Sequence, residues 1–143
     1  MGFSANKVIA LGSAGLCAAL LSASCAFAAD TLTLSGAQEV PPVTSAATGT
    51  SSIKVAADKT VIGSVMVTGL AATAAHIHEA AKGANGGVVV PLVKAGENTF
   101  NVPAGAKLTD AQYAAFLAGN LYVNVHTKAN PGGEIRAQLT PTK

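Results

Sequence analysis

The amino-acid sequence predicts an all-β domain, a Greek-key β-sandwich of about eight strands with one short crossover helix. After residue 30, short runs of Val, Ile, Leu and Thr alternate with polar residues, as half-buried strands do. Clusters of Gly, Pro, Asn and Asp separate these runs and mark turns. One stretch alone carries the start and stop signals of a helix. Together these features are typical of a sandwich of short strands.

The first 28 residues have the three parts of a secretory signal peptide. Lys7 supplies a positive start, residues 8–21 form an apolar run, and Ala26-Phe27-Ala28 is a small-x-small cleavage site. A transmembrane anchor fits less well, because the run is short for a bilayer and no stop-transfer charges follow it. We therefore expect a mature domain of residues 29–143 with no membrane span, in the periplasm or secreted.

The mature domain contains no cysteine, so packing or a bound metal must stabilise it without a disulfide. Cys17 and Cys25 both lie in the predicted signal peptide. Cys25 would carry the lipid of a lipoprotein, but Ser22 occupies a position where such signals prefer Leu. The whole chain has nine Lys and Arg against seven Asp and Glu, and the positive residues are scattered. This distribution does not favour a nucleic-acid partner.

The first strands are predicted on either side of a proline-containing segment. Residues 36–43 include Pro41-Pro42, which fits a sheet edge or a loop because proline cannot donate to a neighbouring strand. Asp58-Lys59 has the composition of a hairpin turn. The predicted strands are residues 31–34, 51–57, 60–68, 73–79, 88–93, 99–102, 121–126 and 134–139.

The single helix is predicted to start after Thr109. Thr109 is its N-cap, and Gln112 completes a capping box at the third helical position. Leu108 can pack on Tyr113 as a hydrophobic staple, and Gly119 is a natural stop. At about ten residues this helix connects strands and does not form a layer of its own.

The three histidines of the chain lie in two predicted strands. His76 and His78 are two positions apart, so both rings point to one face of a strand, about 7 Å apart. His126 shares the outward face of another strand with Tyr122 and Asn124. If the two strands are neighbours, three imidazoles converge. Such a set suits copper or zinc and leaves one coordination position open.

Charged residues near the histidines are candidates for supporting roles. Glu79 faces away from the side of His78, so it is a poor ligand. It or Glu134 is a candidate for fixing the tautomer of an imidazole. Arg136 is predicted either to pair with an acid, Glu39 or Glu134, or to attract anions near the metal.

Four motifs occur in order along the chain: LSGAQEVPPV at 34–43, AHIH at 75–78, LYVNVHT at 121–127 and NPGGEIR at 130–136. Together they resemble the CHRD (chordin) domain family, over about residues 32–139. The resemblance implies an extracellular β-sandwich. In animals, similar domains are repeated within chordin, a secreted antagonist that binds growth factors, and single-domain bacterial forms carry signal peptides. All three histidines lie inside family motifs, which favours their acting as a unit.

A fainter resemblance links His76-Ile77-His78-Glu79 to the copper-binding strand of copper/zinc superoxide dismutase. That enzyme is also a Greek-key sandwich, so the expected architecture is immunoglobulin-like or superoxide-dismutase-like. This chain departs from it by having too few histidines, no matching Asp ligand and no disulfide. A full copper/zinc centre is therefore excluded by count.

The sequence does not favour an enzyme. It contains no Gly-x-Ser-x-Gly elbow, no glycine-rich phosphate loop ahead of a helix and no acid pair at glycosidase spacing. Three functions stay open at this stage. The first is binding of copper or zinc by the histidines, for handling or storage. The second is interaction with an envelope or extracellular protein, with structural histidines. The third is a superoxide-dismutase-like redox metalloprotein.

Overall fold

The computed structural model describes residues 1–2 and 31–141. The predicted signal peptide, apart from its first two positions, lies outside the described residues. The all-β prediction is confirmed, with eleven strands in residues 31–141 instead of about eight. The strands are β1 (Leu32–Ser35), β2 (Thr48–Ser51), β3 (Lys54–Val55), β4 (Val61–Ile62), β5 (Ser64–Thr68), β6 (Ala72–Glu79), β7 (Val88–Pro91), β8 (Val93–Lys94), β9 (Thr99–Asn101), β10 (Leu121–Thr127) and β11 (Ile135–Gln138), and the helix is α1 (Asp110–Leu117).

The larger strand number arises because breaks divide some of the predicted runs. Gly63 separates β4 from β5 with φ +119°, a conformation that favours glycine. A Cβ at this position would collide with the backbone of Ser52 and Ile53. Leu92 interrupts the predicted run 88–93 and separates β7 from β8 at a corner of the sheet. The periodicity therefore located the runs but not the bends within them.

Nine strands form one antiparallel sheet in the order β7-β6-β10-β11-β1-β2-β5-β9-β8, and β3 and β4 form a separate hairpin. The two end strands, β7 and β8, are joined by the single residue Leu92, so the sheet closes on itself. The N–H of Leu92 donates to the carbonyl of Ala75 at this corner (3.0 Å). The enclosed side chains form one core, which includes Leu34, Val65, Ile77, Phe100, Val123, Val125 and Ile135.

Helix α1 begins and ends as the sequence predicts. Thr109 is the N-cap, and its hydroxyl accepts from the N–H of Gln112 (3.2 Å). The Gln112 side chain accepts from the Thr109 N–H in return (2.9 Å), which completes the capping box. Gly119 follows the helix with φ +77°. Within the described part of the chain, no helix has the length and apolarity that a bilayer crossing requires.

Replacing Thr109 with Ala is expected to lower the free energy of unfolding by about 1 kcal/mol, because the N–H of Gln112 loses its acceptor, the Thr109 hydroxyl. Urea denaturation followed by circular dichroism measures this loss. Thr140→Ala is the control, since Thr140 is exposed and lies outside the strands and the helix. Equal midpoints for the two variants would show that the capping box contributes nothing to stability.

Candidate metal centre

The three histidines lie together on one face of two neighbouring strands. Strands β6 and β10 pair in antiparallel fashion, with His76 opposite Asn124 and His78 opposite Tyr122. The ring centroids of His76 and His78 are 5.5 Å apart, those of His76 and His126 are 4.7 Å apart, and those of His78 and His126 are 5.8 Å apart. The predicted convergence of the three rings is confirmed.

Backbone carbonyls fix the orientation of two of these rings. The Nδ1 of His78 lies 3.0 Å from the carbonyl oxygen of Gly86, and the Nδ1 of His126 lies 2.9 Å from that of Pro131. A carbonyl can only accept, so we assign the proton of each neutral ring to Nδ1 and the lone pair to Nε2. The Nδ1 of His76 lies 2.9 Å from the Nε2 of His126 and donates to it.

The Nε2 of His78 is a ring nitrogen that has no partner in the described part of the chain. It is buried and makes no hydrogen bond within residues 31–141. With Nδ1 protonated, this Nε2 is an acceptor. A proton donor or a cation is the chemistry that satisfies such a group.

The spacing of the nitrogens fits one transition-metal ion. One ring nitrogen from each histidine lies within 4.8 Å of the other two. In a tetrahedral zinc site, ligand nitrogens at about 2.05 Å from the metal are about 3.3 Å from one another. Side-chain adjustments of under about 2 Å therefore convert the observed group into a ligand set. Imidazole nitrogens suit zinc and copper better than they suit calcium or magnesium.

The electrostatic environment keeps the rings of His76 and His78 in the neutral form. Burial lowers the pKa of His76, and the neighbouring rings of His126 and His78 lower it further. Burial also lowers the pKa of His78, although the hydrogen bond to Gly86 partly opposes this effect. Both rings are therefore neutral at pH 7, which is the form that binds metal.

A buried stack of planar groups supports His78. The Tyr122 ring lies parallel to the His78 ring, with centroids 4.9 Å apart and an interplanar angle of 6°. The guanidinium of Arg136 lies 3.5 Å from the centroid of Tyr122. The Tyr122 hydroxyl accepts from the N–H of Gly86 (3.2 Å), so the same loop residue contacts two members of the stack. These contacts restrict the rotation of the His78 ring.

Arg136 also holds residues 80–87 over the outward face of the sheet. Its guanidinium donates to the carbonyls of Ala84 (2.8 Å) and Ala81 (3.4 Å) and to the side chain of Asn85 (3.2 Å). A fourth bond goes to the side chain of Gln138 (3.1 Å). Within residues 31–141, no salt bridge joins Arg136 to an acid at 4 Å or less. Its closest partners are neutral, and the charge is buried with 1% exposure.

Glu39 is a buried acid that lies close to Gly133, as does the side-chain amide of Asn124. Its carboxyl is 4% exposed, and Oε1 has no hydrogen-bond partner in the described part of the chain. Burial raises the pKa of Glu39, while the charge of Arg136 and the side-chain amide of Asn124 act in the opposite direction. Glu39 thus interacts with Arg136 through its charge without a close ion pair.

The other two acids considered from the sequence lie apart from Arg136. The carboxylate of Glu134 accepts from the hydroxyls of Ser45 (2.7 Å) and Thr127 (2.6 Å). The hydrogen bond from Thr127 is the main reason that the pKa of Glu134 is lowered. Glu79 is exposed on β6. The structure therefore does not place either acid in the group of three histidines.

Asn124, Tyr122 and Gly133 are site residues that sequence reasoning missed. Tyr122 and Asn124 were expected only to share the outward face of their strand. They are buried because residues 80–87 and 36–43 fold over that face, and Asn85 joins the two segments by donating to the carbonyl of Val40 (2.6 Å). The signal available in the sequence was their period-two spacing before His126.

Replacing Gly133 with Ala is expected to lower the free energy of unfolding by about 2 kcal/mol. Gly133 has φ +128°, and a Cβ there would collide with the side chains of Asn124 and Glu39. Gly132→Ala is the matched control, because a Cβ on Gly132 meets open space. Chemical denaturation measures the free energy of unfolding of both variants. Equal losses of stability would contradict the close approach of Gly133 to Asn124 and Glu39.

A comparison with protein-family models matches residues 31–139 to the CHRD domain. The chain belongs to the CHRD domain family. The matched part of this CHRD domain includes both strands that carry the histidines and all four motifs on which the resemblance was based. Neither the curated proteins nor the solved structures that were compared contain a match. The function of this CHRD domain must therefore be argued from its own site.

Proposed function

We propose that this CHRD domain is an exported protein that binds one copper or zinc ion through His76, His78 and His126, for metal handling or storage. The observation that supports this proposal best is the convergence of three ring nitrogens, one from each histidine, within 4.8 Å. Two neighbouring strands position all three rings. Rigid elements of this kind hold ligands more accurately than loops do.

The hydrogen bonds around the rings support a metal-binding role. Ligand histidines usually donate their second ring N–H to a carbonyl or carboxylate, which fixes the tautomer and strengthens the ligand nitrogen. His78 and His126 both donate to backbone carbonyls in this manner. A metal would also satisfy the buried Nε2 of His78, an acceptor that costs about 1–3 kcal/mol when it stays unpaired.

Calorimetric titration of the purified, processed protein with Zn(II) and with Cu(II) tests the proposal. We expect one ion per chain. His78→Gln should weaken binding at least about 100-fold, because one of three nitrogen ligands is lost. Glu79→Gln is the matched control: it changes an exposed residue of the same strand and should leave the affinity unchanged. Absence of binding, or equal binding by His78→Gln, would overturn the proposal.

An extracellular protein-interaction module with structural histidines is the second candidate. It is favoured by the same bonds from His78 to Gly86 and from His126 to Pro131, because they tie two loops to the sheet without any ion. Pull-down from an envelope extract, with and without a chelator, separates the two functions. A specific partner that is retained in chelator would favour this candidate.

A copper-loaded protein no faster than free copper in superoxide dismutation would exclude the redox alternative.

Export to the periplasm or the medium is a separate part of the proposal. It is supported by the three-part pattern of the first 28 residues: a positive start, an apolar run and a small-x-small cleavage site. Mass spectrometry of the protein from cell fractions tests it. We expect an N-terminus at Ala29 in the extracytoplasmic fraction. An intact Met1 start in the cytoplasmic fraction would contradict export.

A further inference from the structure

Asn124 occupies the central position among the three histidines. It lies directly opposite His76 in the β6–β10 register. On its own strand it is two residues from His126, so both side chains point to the same face. His78 is its diagonal cross-strand neighbour, at a distance that long side chains and rings can bridge. Each histidine is thus adjacent to Asn124.

The surroundings of Asn124 give its amide a defined orientation. Its Nδ2 donates to the carbonyl of Gly132 (3.3 Å). The ideal Cβ position of Gly133 lies against both this Nδ2 and the carboxyl of Glu39. The nitrogen end of the amide therefore faces the carbonyl of Gly132, which is its acceptor. The oxygen end lies opposite the nitrogen end of the amide, and the strand register makes His78 the diagonal neighbour of Asn124.

The oxygen end of this amide has no partner of its own. Asn124 is 2% exposed, and its Oδ1 is buried without a hydrogen bond within residues 31–141. The Nε2 of His78, also an acceptor, has none either. Two unpaired acceptors on diagonal positions of paired strands cannot satisfy one another, whereas one cation bound by both would satisfy each of them.

We propose that Asn124 supplies the fourth ligand of the metal centre through Oδ1, beside the three histidine nitrogens. The ligand set is then three nitrogens and one oxygen. This inference rests on the proposed metal-binding function and extends it. An amide oxygen is a hard donor, so the set favours divalent ions such as Zn(II) and Cu(II) over the soft Cu(I) ion.

The test compares Asn124→Leu, which keeps the size of the side chain and removes its oxygen, with the wild-type protein. Zn(II) affinity is measured by competition with a chromophoric chelator, and the Cu(II) form is examined by electron paramagnetic resonance. We expect the Zn(II) affinity of Asn124→Leu to fall about tenfold or more and the Cu(II) hyperfine splitting to change. Asn101→Leu is the control, since Asn101 is exposed on β9.

A second measurement keeps the inference testable if Asn124→Leu does not fold. In wild-type protein labelled with ¹³C and ¹⁵N, saturating Zn(II) should shift the side-chain ¹³Cγ resonance of Asn124 and leave that of Asn101 in place. An unchanged Asn124 resonance, or a variant with wild-type affinity and spectrum, would overturn the fourth ligand alone. Wild-type protein that binds no metal at all would overturn the proposed function together with this inference.

Discussion

Replacing Arg136 with Met should lower the free energy of unfolding by about 3–4 kcal/mol. Met fills much of the same volume, so the loss comes from polar groups and not from a cavity. Four acceptors, two of them backbone carbonyls of residues 80–87, lose their donor at once. The buried carboxyl of Glu39 also loses the positive charge that opposes its desolvation.

Thermal unfolding measures this effect, and for a domain of this size the melting temperature should fall by more than about 10 °C. Lys82→Met is the control, because Lys82 is exposed in the same loop and should change stability by less than about 0.5 kcal/mol. Amide exchange at Gly86 should accelerate in the Arg136 variant as residues 80–87 loosen. A stability loss below about 1 kcal/mol would show that the guanidinium is not needed to close the face.

Zinc should stabilise the protein near neutral pH, and acid should remove this stabilisation. An ion that binds only the folded state adds about 2.7 kcal/mol when its free concentration is a hundred times Kd. Protons compete for the same ring nitrogens, so the gain disappears as the histidines protonate. Because burial holds the pKa of His76 and of His78 below the ordinary value of 6.5, binding should persist to a lower pH than ordinary histidines allow.

The metal-free protein should also become less stable as the pH falls. The unfolded chain takes up protons on these histidines from about pH 6.5 downward. The folded chain takes them up only at lower pH, since the pKa of each of the two rings is lowered. Between these limits the unfolded state binds more protons, and the free energy of unfolding therefore decreases with decreasing pH.

Melting curves with zinc and with a chelator, recorded from about pH 8 to about pH 5, separate the two effects. The difference between the curves reports metal binding, and the chelator curve reports the protein alone. His78→Gln should show almost no difference at any pH. A zinc-dependent gain that survives in His78→Gln, or that vanishes above the ordinary histidine pKa, would contradict the three-histidine site.

The local features were predictable because they depend on nearby residues. The capping box of Thr109 and Gln112 joins residues three apart, and the structure forms it as predicted. The shared face of His76 and His78 follows from the period of a strand, whatever the rest of the fold is. The pairing of β6 with β10 could only be assumed in the prediction, because 41 residues separate the two strands along the chain.

The sequence by itself determined the family, the all-β class and the three histidines as the candidate site. These depend on motifs, on period-two patterning and on composition, which are all read along the chain. Only the tertiary structure decided that Asn124, Tyr122 and Arg136 are buried around the site. Strand periodicity tells which side chains face outward, but it contains no information on whether a distant loop covers that face. Residues 80–87 do cover it, and the polar side chains beneath them become hydrogen-bonded supports of the histidines.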